Sequence, residues 1–278
     1  VWELRVAPGE VAAPVPAGGE RCGPFQFLIA ADGAAGACRR RLTGDRGGAG
    51  VSQGIGYYLD GVSEATLTLK FFDRLHGYLW VFPRPDHSSA GICAALGERP
   101  VAALRELMDR FLLERYGASA LAGAGTFAAL IPAPAPAGPP VPIQGEGWAV
   151  AGDAGRFVDP LTREGIHYAL LSGEILAETL RDGREEAYVA RWEAVAAGEL
   201  LRAARWAAAF FEPRFLERMV TLCGLSPAIA RVFADLIAGR QSYGTLKRRL
   251  VLNAPAVALD CVRARWSAAS RLSDARDS

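Results

Sequence analysis

The chain has 278 residues, of which 51% are hydrophobic, 22% charged and 9% aromatic. This composition is typical of a globular protein with a sizeable core, and it excludes wholesale disorder. Lys and Arg together number 31 against 30 for Asp and Glu. The net charge therefore does not favour nucleic acid as a partner, and a small apolar ligand fits better.

The cysteines form no C-x-x-C pair, which disfavours a zinc site and a disulfide framework and fits a reducing cytoplasm. No run reaches the roughly 18 apolar residues of a spanning helix, and no signal pattern opens the chain. We therefore expect a cytoplasmic protein without a metal. The five cysteines are Cys22, Cys38, Cys93, Cys223 and Cys261.

Apolar runs and turn residues predict strands and helices in the first half of the chain. Phe25 to Ala31 is a continuous apolar run ended by Asp-Gly, which predicts a buried strand and a tight turn. A short helix with a basic end is predicted at 34–42. Short β-rich segments over 51–96 predict an antiparallel sheet, and apolar residues at helical spacing predict a helix from Pro100 to Tyr116.

The second half begins with a proline-rich segment, Ile131 to Pro142, which predicts an extended connector. Trp148 to Ala151 is predicted to be a strand, and a helix is predicted from about Arg163 to Leu180. The remainder has a helical pattern. Helix breaks are expected near Gly183, Pro213, Pro227, 239–244 and Pro255.

The segment from Val150 to Ala169 combines a strand, a Gly-Asp turn, a proline-anchored loop and a helix beginning near Gly165. A carboxylate at a strand end can accept hydrogen bonds from ligand hydroxyls. A small residue at a helix start lets a flat ring approach free backbone amides. The plainer interpretation is a structural connection in which Asp153 caps a turn and Pro160 stiffens the loop.

This segment resembles the second FAD motif of the geranylgeranyl reductase family, within the flavin hydroxylase-like proteins. G-D-A, F-V-D-P-L-T and E-G-I-x-Y-A occur in the family's order and spacing. The resemblance implies that Asp153 accepts hydrogen bonds from the ribityl hydroxyls of FAD. It also implies that the amides of Gly165 and Ile166 face the N1 and O2 edge of the ring. Gly152 and Pro160 complete the implied cofactor contacts of this motif.

Two arginines depart from the wording common in the family, which reads Gly-Asp-Ala-Ala-Gly and Pro-Leu-Thr-Gly-Glu-Gly. Arg156 and Arg163 stand here where the family has glycines. A long cation at either position could cover the flavin, pair with Glu164 or bind an anionic substrate group. The alternative for both is a solvated loop charge.

A second cofactor motif is implied by Leu28 to Arg40, which resembles the Asp-Gly motif of the same family. The resemblance places Asp32 and Gly33 near the ribityl and pyrophosphate groups of FAD. An ordinary Asp-Gly turn is the alternative. If both Asp turns face the cofactor, the strands at 25–31 and 148–151 should lie in one parallel sheet, with both carboxylates facing one cleft.

Tyr78, Trp80 and Phe82 alternate along the chain and therefore share one face of a strand. They match the Y-x-W-x-F-P signature of the family, which implies an apolar wall and cavity for a polyprenyl substrate beside the flavin. Packing of these rings into a core is the alternative. The G-x-G that follows in the family is reduced here to Gly91-Ile92-Cys93.

The resemblance covers nearly the whole chain and implies an α/β (α+β) fold. We expect a partial FAD-binding Rossmann-like layer, an antiparallel β-sheet substrate domain and a C-terminal helical region. The corresponding ranges are 1–50 with 143–182 as a remnant of the FAD-binding domain, 51–142 and 183–278. Gly239 to Leu250 resembles the closing helical segment of the family. We interpret it as packing with a basic face, or alternatively as contact with a membrane surface.

A protein of this kind is expected to open with a strand, G-x-G-x-x-G and a helix. The chain opens differently and begins with Val1, so we expect an N-terminally truncated form that binds FAD weakly or not at all. The glycines of Gly123 to Ala128 offer a lookalike. It is followed by Leu-Ile-Pro and the connector instead of a helix, so we reject it as a phosphate loop.

The expected activity is reduction of geranylgeranyl-type carbon–carbon double bonds by hydride transfer from reduced FAD. NAD(P)H and ferredoxin both stay open as electron donors. The alternatives are an FAD-dependent monooxygenase or halogenase, and a non-catalytic remnant that binds an apolar ligand. No catalytic residue is assigned, because His167 could donate a proton but is as readily a packed or solvated histidine. The expected partner is an apolar prenyl molecule, and the oligomeric state is open.

Overall fold

Strands occupy the first part of the chain and helices the last. The computed structural model describes residues 2–3, 6–7, 10–11, 15–16, 25–45, 50–63, 65–134 and 141–274. The strands are β1 Trp2–Glu3, β2 Val6–Ala7, β3 Glu10–Val11, β4 Val15–Pro16, β5 Leu28–Ala30, β6 Val51–Asp60, β7 Thr68–Lys70, β8 Leu79–Pro83, β9 His87–Ala95, β10 Gly125–Pro132, β11 Gln144–Gly145 and β12 Trp148–Val150. The helices are α1 Ala37–Thr43, α2 Val101–Tyr116, α3 Ile166–Arg181, α4 Tyr188–Trp192, α5 Gly198–Phe210, α6 Pro213–Leu225, α7 Pro227–Ile237 and α8 Tyr243–Asp274.

The chain divides into two compact units, Val1–Ala204 and Arg205–Ser278. The first unit contains a five-stranded antiparallel sheet in the order β10-β6-β9-β8-β7. Alternation along the strands turns Ile55, Leu79 and Ile92 toward one face, where they form a buried core with residues of α2. This arrangement confirms the antiparallel sheet and the amphipathic helix predicted from the sequence.

A smaller sheet in the first unit has the order β11-β12-β5. Strands β12 and β5 are parallel, and Val150 is the partner of Ala30. The prediction that these two distant segments share a parallel sheet is confirmed. The predicted extent of the first strand was wrong, because β5 covers only three residues and Ile29 is 47% exposed. Among the described residues β5 pairs with β12 alone, so it lacks the second neighbour of a buried central strand.

The predicted connector from Ile131 to Pro142 was also wrong at its start. Ile131 and Pro132 end strand β10 and pair with Ser52 and Val51. A proline is tolerated there because β10 lies at an edge of the described sheet, where one row of backbone groups has no ladder partner. Residues 135–140 of the predicted connector lie outside the described residues.

In the second unit, Pro213 and Pro227 stand in the first turns of α6 and α7, where a missing N–H costs nothing. These two breaks and the break between α7 and α8 agree with the sequence prediction. A break at Pro255 was predicted wrongly, because α8 continues through it. This proline is exposed, so the one carbonyl left without its N–H partner can be hydrated at the helix surface.

Candidate functional site

The two Asp turns of the sequence motifs leave the same edge of the small sheet. Because β5 and β12 are parallel, their carboxyl ends coincide, and Asp32 and Asp153 follow these ends by two and three residues. The turns are also in contact, since Nε of Arg39 donates to the carbonyl of Ala154 over 3.0 Å. The fold thus brings together the two motifs that the sequence separates widely.

Asp32 has a structural task at this edge. Its carboxylate accepts hydrogen bonds from the amides of Cys38 at 2.7 Å and Arg39 at 3.3 Å, at the start of α1. These bonds satisfy amides that a helix start leaves without partners. Gly33 takes a left-handed φ of +75° beside it, and space is open on its Cβ side. The backbone of this turn is therefore the part that a ligand can approach.

Asp153 is half-buried in the turn of 3-10 helix Gly152–Gly155. Its carboxylate accepts no hydrogen bond from any other residue that the structure describes. Burial raises the pKa of this carboxyl above its ordinary value. Gly152, in contrast, is fixed to α3 through a hydrogen bond from its amide to Oγ of Ser172 at 2.9 Å. The turn is held firmly while its carboxylate keeps its acceptor capacity.

The start of α3 lies directly against Asp153. A Cβ placed on Gly165 would be 3.2 Å from Oδ1 of Asp153 and 3.1 Å from Cγ2 of Val158, so a side chain there would crowd both. Within the described residues, the amides of Gly165 and Ile166 donate no hydrogen bond, and Ile166 is 72% exposed. A carboxylate and two open amides therefore lie side by side.

Glu164 and Asp159 shape the loop that leads into α3. The Glu164 carboxylate accepts from the amide of His167 at 2.9 Å and caps the helix. Asp159, which is buried, accepts from the amides of Leu161 at 2.7 Å and Thr162 at 3.0 Å. Sequence reasoning passed over Asp159, although an aspartate before a proline is a known turn signal. Pro160 is buried inside this loop, whereas the side chain of His167 is exposed.

The two arginines that replace family glycines keep a glycine-like backbone. Arg156 has a φ of +59° and Arg163 a φ of +61°, both in the left-handed region. This conformation costs a residue with a Cβ roughly 1–2 kcal/mol. At both positions the backbone therefore has a conformation that glycine adopts most easily, and each arginine adds a long side chain to it.

Arg156 belongs to a buried ion cluster, so the interpretation as a solvated charge was wrong. It is 7% exposed, and its Nε lies 2.6 Å from Oδ2 of Asp45. Arg39, which is 1% exposed, pairs with the same carboxylate. Arg156 also donates to the carbonyl of Ala133 at 3.5 Å, just after β10. The cluster of Arg39, Asp45 and Arg156 ties both Asp turns to the large sheet.

Arg163 reaches from the loop to the large sheet. Its guanidinium donates to the carbonyl of His76 at 3.4 Å and lies beside the thiol of Cys93. Burial raises the pKa of that thiol, and the Arg163 charge opposes the rise. Cys93 stands where the family has the second glycine of G-x-G. Two departures from the family motifs, distant in sequence, thus contact each other in the fold.

The face of the large sheet opposite α2 carries the predicted aromatic row. Ring centroids are 6.0 Å apart between Tyr78 and Trp80 and again between Trp80 and Phe82. Phe127 of β10 joins the row at 6.3 Å from Trp80, and Tyr58 lies 5.1 Å from Phe127. Sequence reasoning missed these two rings, since only strand pairing brings β10 and β6 beside β8.

Two glycines form the floor beneath the aromatic row. Gly56 and Gly91 are partners in β6 and β9, and the outer partners in the same row are Phe127 and Trp80. A Cβ on Gly91 would be 2.3 Å from the Trp80 ring, and one on Gly56 would be 2.2 Å from the Phe127 ring. Both rings therefore lie flat over the glycines. The glycine-rich lookalike that begins at Gly123 leads into β10, as expected for a segment that is not a phosphate loop.

A hydrogen bond joins the aromatic face to the loop before α3. The hydroxyl of Tyr78, whose side chain is buried, donates to the carbonyl of Thr162. Tyr78 is thus placed beside the loop that carries Pro160 and leads to Gly165, and Trp80 and Phe82 follow it along the row. The described residues bring the predicted cofactor and substrate residues into one unit of the fold.

Sequence comparison relates the chain to known reductases. No protein-family model matches it. Menaquinone reductase of Mycolicibacterium smegmatis is 34% identical over 153 residues, which are 51% of this chain and 36% of the relative. Digeranylgeranylglycerophospholipid reductase 2 of Methanothermobacter thermautotrophicus is 30% identical over 181 residues, 60% of this chain and 45% of the relative. The chain spans less than half the length of these curated relatives.

Comparison with solved structures shows that this fold is shared with known proteins. A geranylgeranyl bacteriochlorophyll reductase-like protein of Thermoplasma acidophilum superposes with a TM-score of 0.65 at 19% identity, covering 79% of this chain and 60% of that one. The flavin-dependent brominase Bmp2 gives a TM-score of 0.55 at 16% identity, covering 89% and 68%. At such identities these likenesses show the fold alone. The sequence is therefore similar to curated reductases of prenyl lipids, and the fold is shared with a geranylgeranyl bacteriochlorophyll reductase-like protein.

Proposed function

We propose that the chain forms the isoalloxazine and ribityl side of an FAD site in an enzyme that reduces isoprenoid carbon–carbon double bonds. The observation that carries the proposal is the Asp153 carboxylate beside the open amides of Gly165 and Ile166. Asp153 would accept hydrogen bonds from ribityl hydroxyls, and the two amides would face the N1 and O2 edge of the ring. Asp32 and Gly33 would border the ribityl and pyrophosphate end through their backbone.

Reduced flavin, when bound, supplies a hydride to the substrate. The chain's own contribution would be electrostatic and positional. The start of α3 offers two N–H groups and the positive end of a helix dipole, which stabilise negative charge at the pyrimidine edge. Asp159 holds the loop that places this helix start, and Tyr78 fixes the same loop to the large sheet.

The aromatic face supports an apolar substrate. Trp80, Phe82 and Phe127 are only half-buried, and the glycines below them leave the rings as the apolar surface of the sheet. A polyprenyl chain packs well on such rings because it offers only hydrocarbon. The curated relatives are named as reductases of menaquinone and of a digeranylgeranylglycerophospholipid, which supports a prenyl lipid as the substrate class.

Flavin titration tests the cofactor part of the proposal. Because most of the proposed contacts reach the ring and ribityl chain, we expect riboflavin, FMN and FAD all to bind weakly, with FAD only slightly tighter than riboflavin, as measured by quenching of flavin fluorescence. Gly165→Ala should weaken binding, since its Cβ would crowd Asp153. The matched control is Gly173→Ala in the same helix, where the added Cβ meets open space. Equal binding by both variants would contradict the proposed site.

Turnover tests the reaction. The protein with FAD and a reductant, NAD(P)H or ferredoxin, should add two hydrogens per double bond to a geranylgeranyl lipid, as measured by product mass. Trp80→Ala should raise KM for the lipid more than it lowers the rate of flavin reduction. A product that gains oxygen or halogen would contradict the reductase and favour the monooxygenase or halogenase alternative.

A further inference from the structure

Helix α8 exposes an apolar stripe within the second unit. Its five large apolar residues are each between 50% and 78% exposed. Their successive spacings of one, seven, three and four residues keep them within about 100° of rotation, on one side of the helix. Over fifteen residue steps the stripe extends about 22 Å. Its members are Val251, Leu252, Leu259, Val262 and Trp266.

The other side of α8 is fixed to its own unit. Tyr243 and Leu246 are buried, and Oγ of Ser226 donates to the Asp260 carboxylate at 2.7 Å. Arg249 pairs with Asp235 at 2.5 Å. The stripe is therefore displayed on a helix whose opposite side is already packed. Apolar residues gathered in this way on a surface mark an interaction site.

Basic residues accompany the stripe. At about 100° of rotation per residue, Lys247 lies along one border of the stripe and Arg263 along the other, with Arg248 at its N-terminal end. All three are exposed. Residues 243–266 contain five basic side chains against one acidic side chain, and that acidic group, Asp260, is hydrogen-bonded to Ser226.

We infer that α8 binds the surface of an anionic lipid bilayer, with the stripe in the boundary between headgroups and acyl chains. Apolar residues with a tryptophan, bordered by cations, suit this boundary, where hydrocarbon contact and attraction to anionic headgroups act together. A second copy of the chain is disfavoured as the occupant, because two such surfaces would bring like charges together. This inference does not depend on flavin binding.

A bound helix of this kind lies on the bilayer without crossing it. Among the described residues, no single helix has the length and apolar character to span a membrane. Helices α6 and α7 pass that test only as a pair, and they are bent by 113°. Neither finding assigns α8 to the interior of a bilayer.

Vesicle sedimentation tests the inference. The protein should bind vesicles of phosphatidylcholine mixed with phosphatidylglycerol, bind pure phosphatidylcholine more weakly, and lose binding as salt rises. Leu259→Glu and Trp266→Ser should each weaken binding about tenfold or more. The matched control is Val220→Glu, an equally drastic change at an exposed residue of α6 outside the stripe. It should bind like the unmodified protein.

The inference would be overturned if both stripe variants bound anionic vesicles as tightly as the unmodified protein, or if the unmodified protein did not bind them. A concentration-dependent dimer that Leu259→Glu dissociates would overturn it too and assign the stripe to self-association. Circular dichroism of the variants confirms that they fold. Flavin titration of the same variants separates this inference from the proposed function, since Leu259→Glu should leave flavin binding unchanged.

Discussion

The hydroxyl of Tyr78 donates a hydrogen bond to the main-chain carbonyl of Thr162. This single bond joins the strand that carries the aromatic row to the loop that ends at the start of α3. Burial raises the pKa of the Tyr78 hydroxyl, so the group keeps its proton and stays a donor. Together with the bond from Arg163 to the carbonyl of His76, this contact positions the proposed flavin edge relative to the aromatic face.

Tyr78→Phe should therefore loosen the loop while leaving the ring in place. We expect the free energy of unfolding to fall by about 1–3 kcal/mol, because the Thr162 carbonyl loses its partner in a partly buried setting. Amide hydrogen exchange at 159–164 should quicken. Tyr58→Phe is the matched control, since that tyrosine lies on the same face and is 45% exposed. Its effect should be below about 0.5 kcal/mol.

The left-handed backbone of Arg163 predicts an unusual order of stabilities. Arg163→Gly and Arg163→Ala both remove the guanidinium, but only glycine accepts a φ of +61° without a steric cost. The glycine variant should be more stable to urea by about 1 kcal/mol. At Arg105, an exposed helical position, the order should reverse by a similar amount. If Arg163→Ala were more stable than Arg163→Gly, the backbone strain assigned to this position would be contradicted.

The buried ion cluster predicts a large loss of stability from a small change. Asp45→Asn would leave the guanidinium groups of Arg39 and Arg156 buried without their shared carboxylate. Removing one member of such a cluster costs about 3–5 kcal/mol in urea unfolding. Asp182→Asn, which breaks a surface pair with Arg191, should cost less than about 1 kcal/mol. Similar losses for the two variants would show that the cluster contributes little.

Local patterns predicted much of the fold. Helical spacing located α2 and α3, and β-rich segments bounded by turn residues located the large sheet. The Asp-Gly and Gly-Asp turns correctly indicated that both motifs lie at the same edge of the small sheet, because each turn follows the end of its parallel strand. These features depend on a few neighbouring residues, which is why a single sequence carries them.

The remaining features depend on contacts between distant residues. Asp45 and Arg156 are 111 positions apart, and nothing near either residue indicates that they pair. The contact of Arg163 with Cys93 and the entry of Phe127 into the aromatic row likewise require the strand order. The exposure of Ile29 could not be predicted either. A continuous apolar run predicts a strand, but it does not tell whether that strand has one neighbouring strand or two.

Asp153 predicts a pH dependence whose sign follows from its burial. Its pKa is raised from the ordinary 3.8, so the folded chain holds this proton to higher pH than the unfolded chain does. Its contribution to stability is therefore largest below pH 3.8 and falls as pH rises through the raised pKa. Asparagine does not ionise, so Asp153→Asn does not lose stability in this way as pH rises. The variant should gain stability over the unmodified protein as pH rises, measured by urea unfolding across the acid range, and a constant difference would contradict the burial argument.

Asp153 is proposed to recognise the ribityl chain of a flavin. Two ligands separate this contact from ring binding, because riboflavin has the ribityl hydroxyls and lumiflavin lacks them. Titration of both into the protein and into Asp153→Ala measures the contact directly. We expect the substitution to weaken riboflavin about tenfold or more, as loss of a charge-assisted hydrogen bond does, and to leave lumiflavin unchanged. Equal effects on the two ligands, or none on riboflavin, would contradict the account.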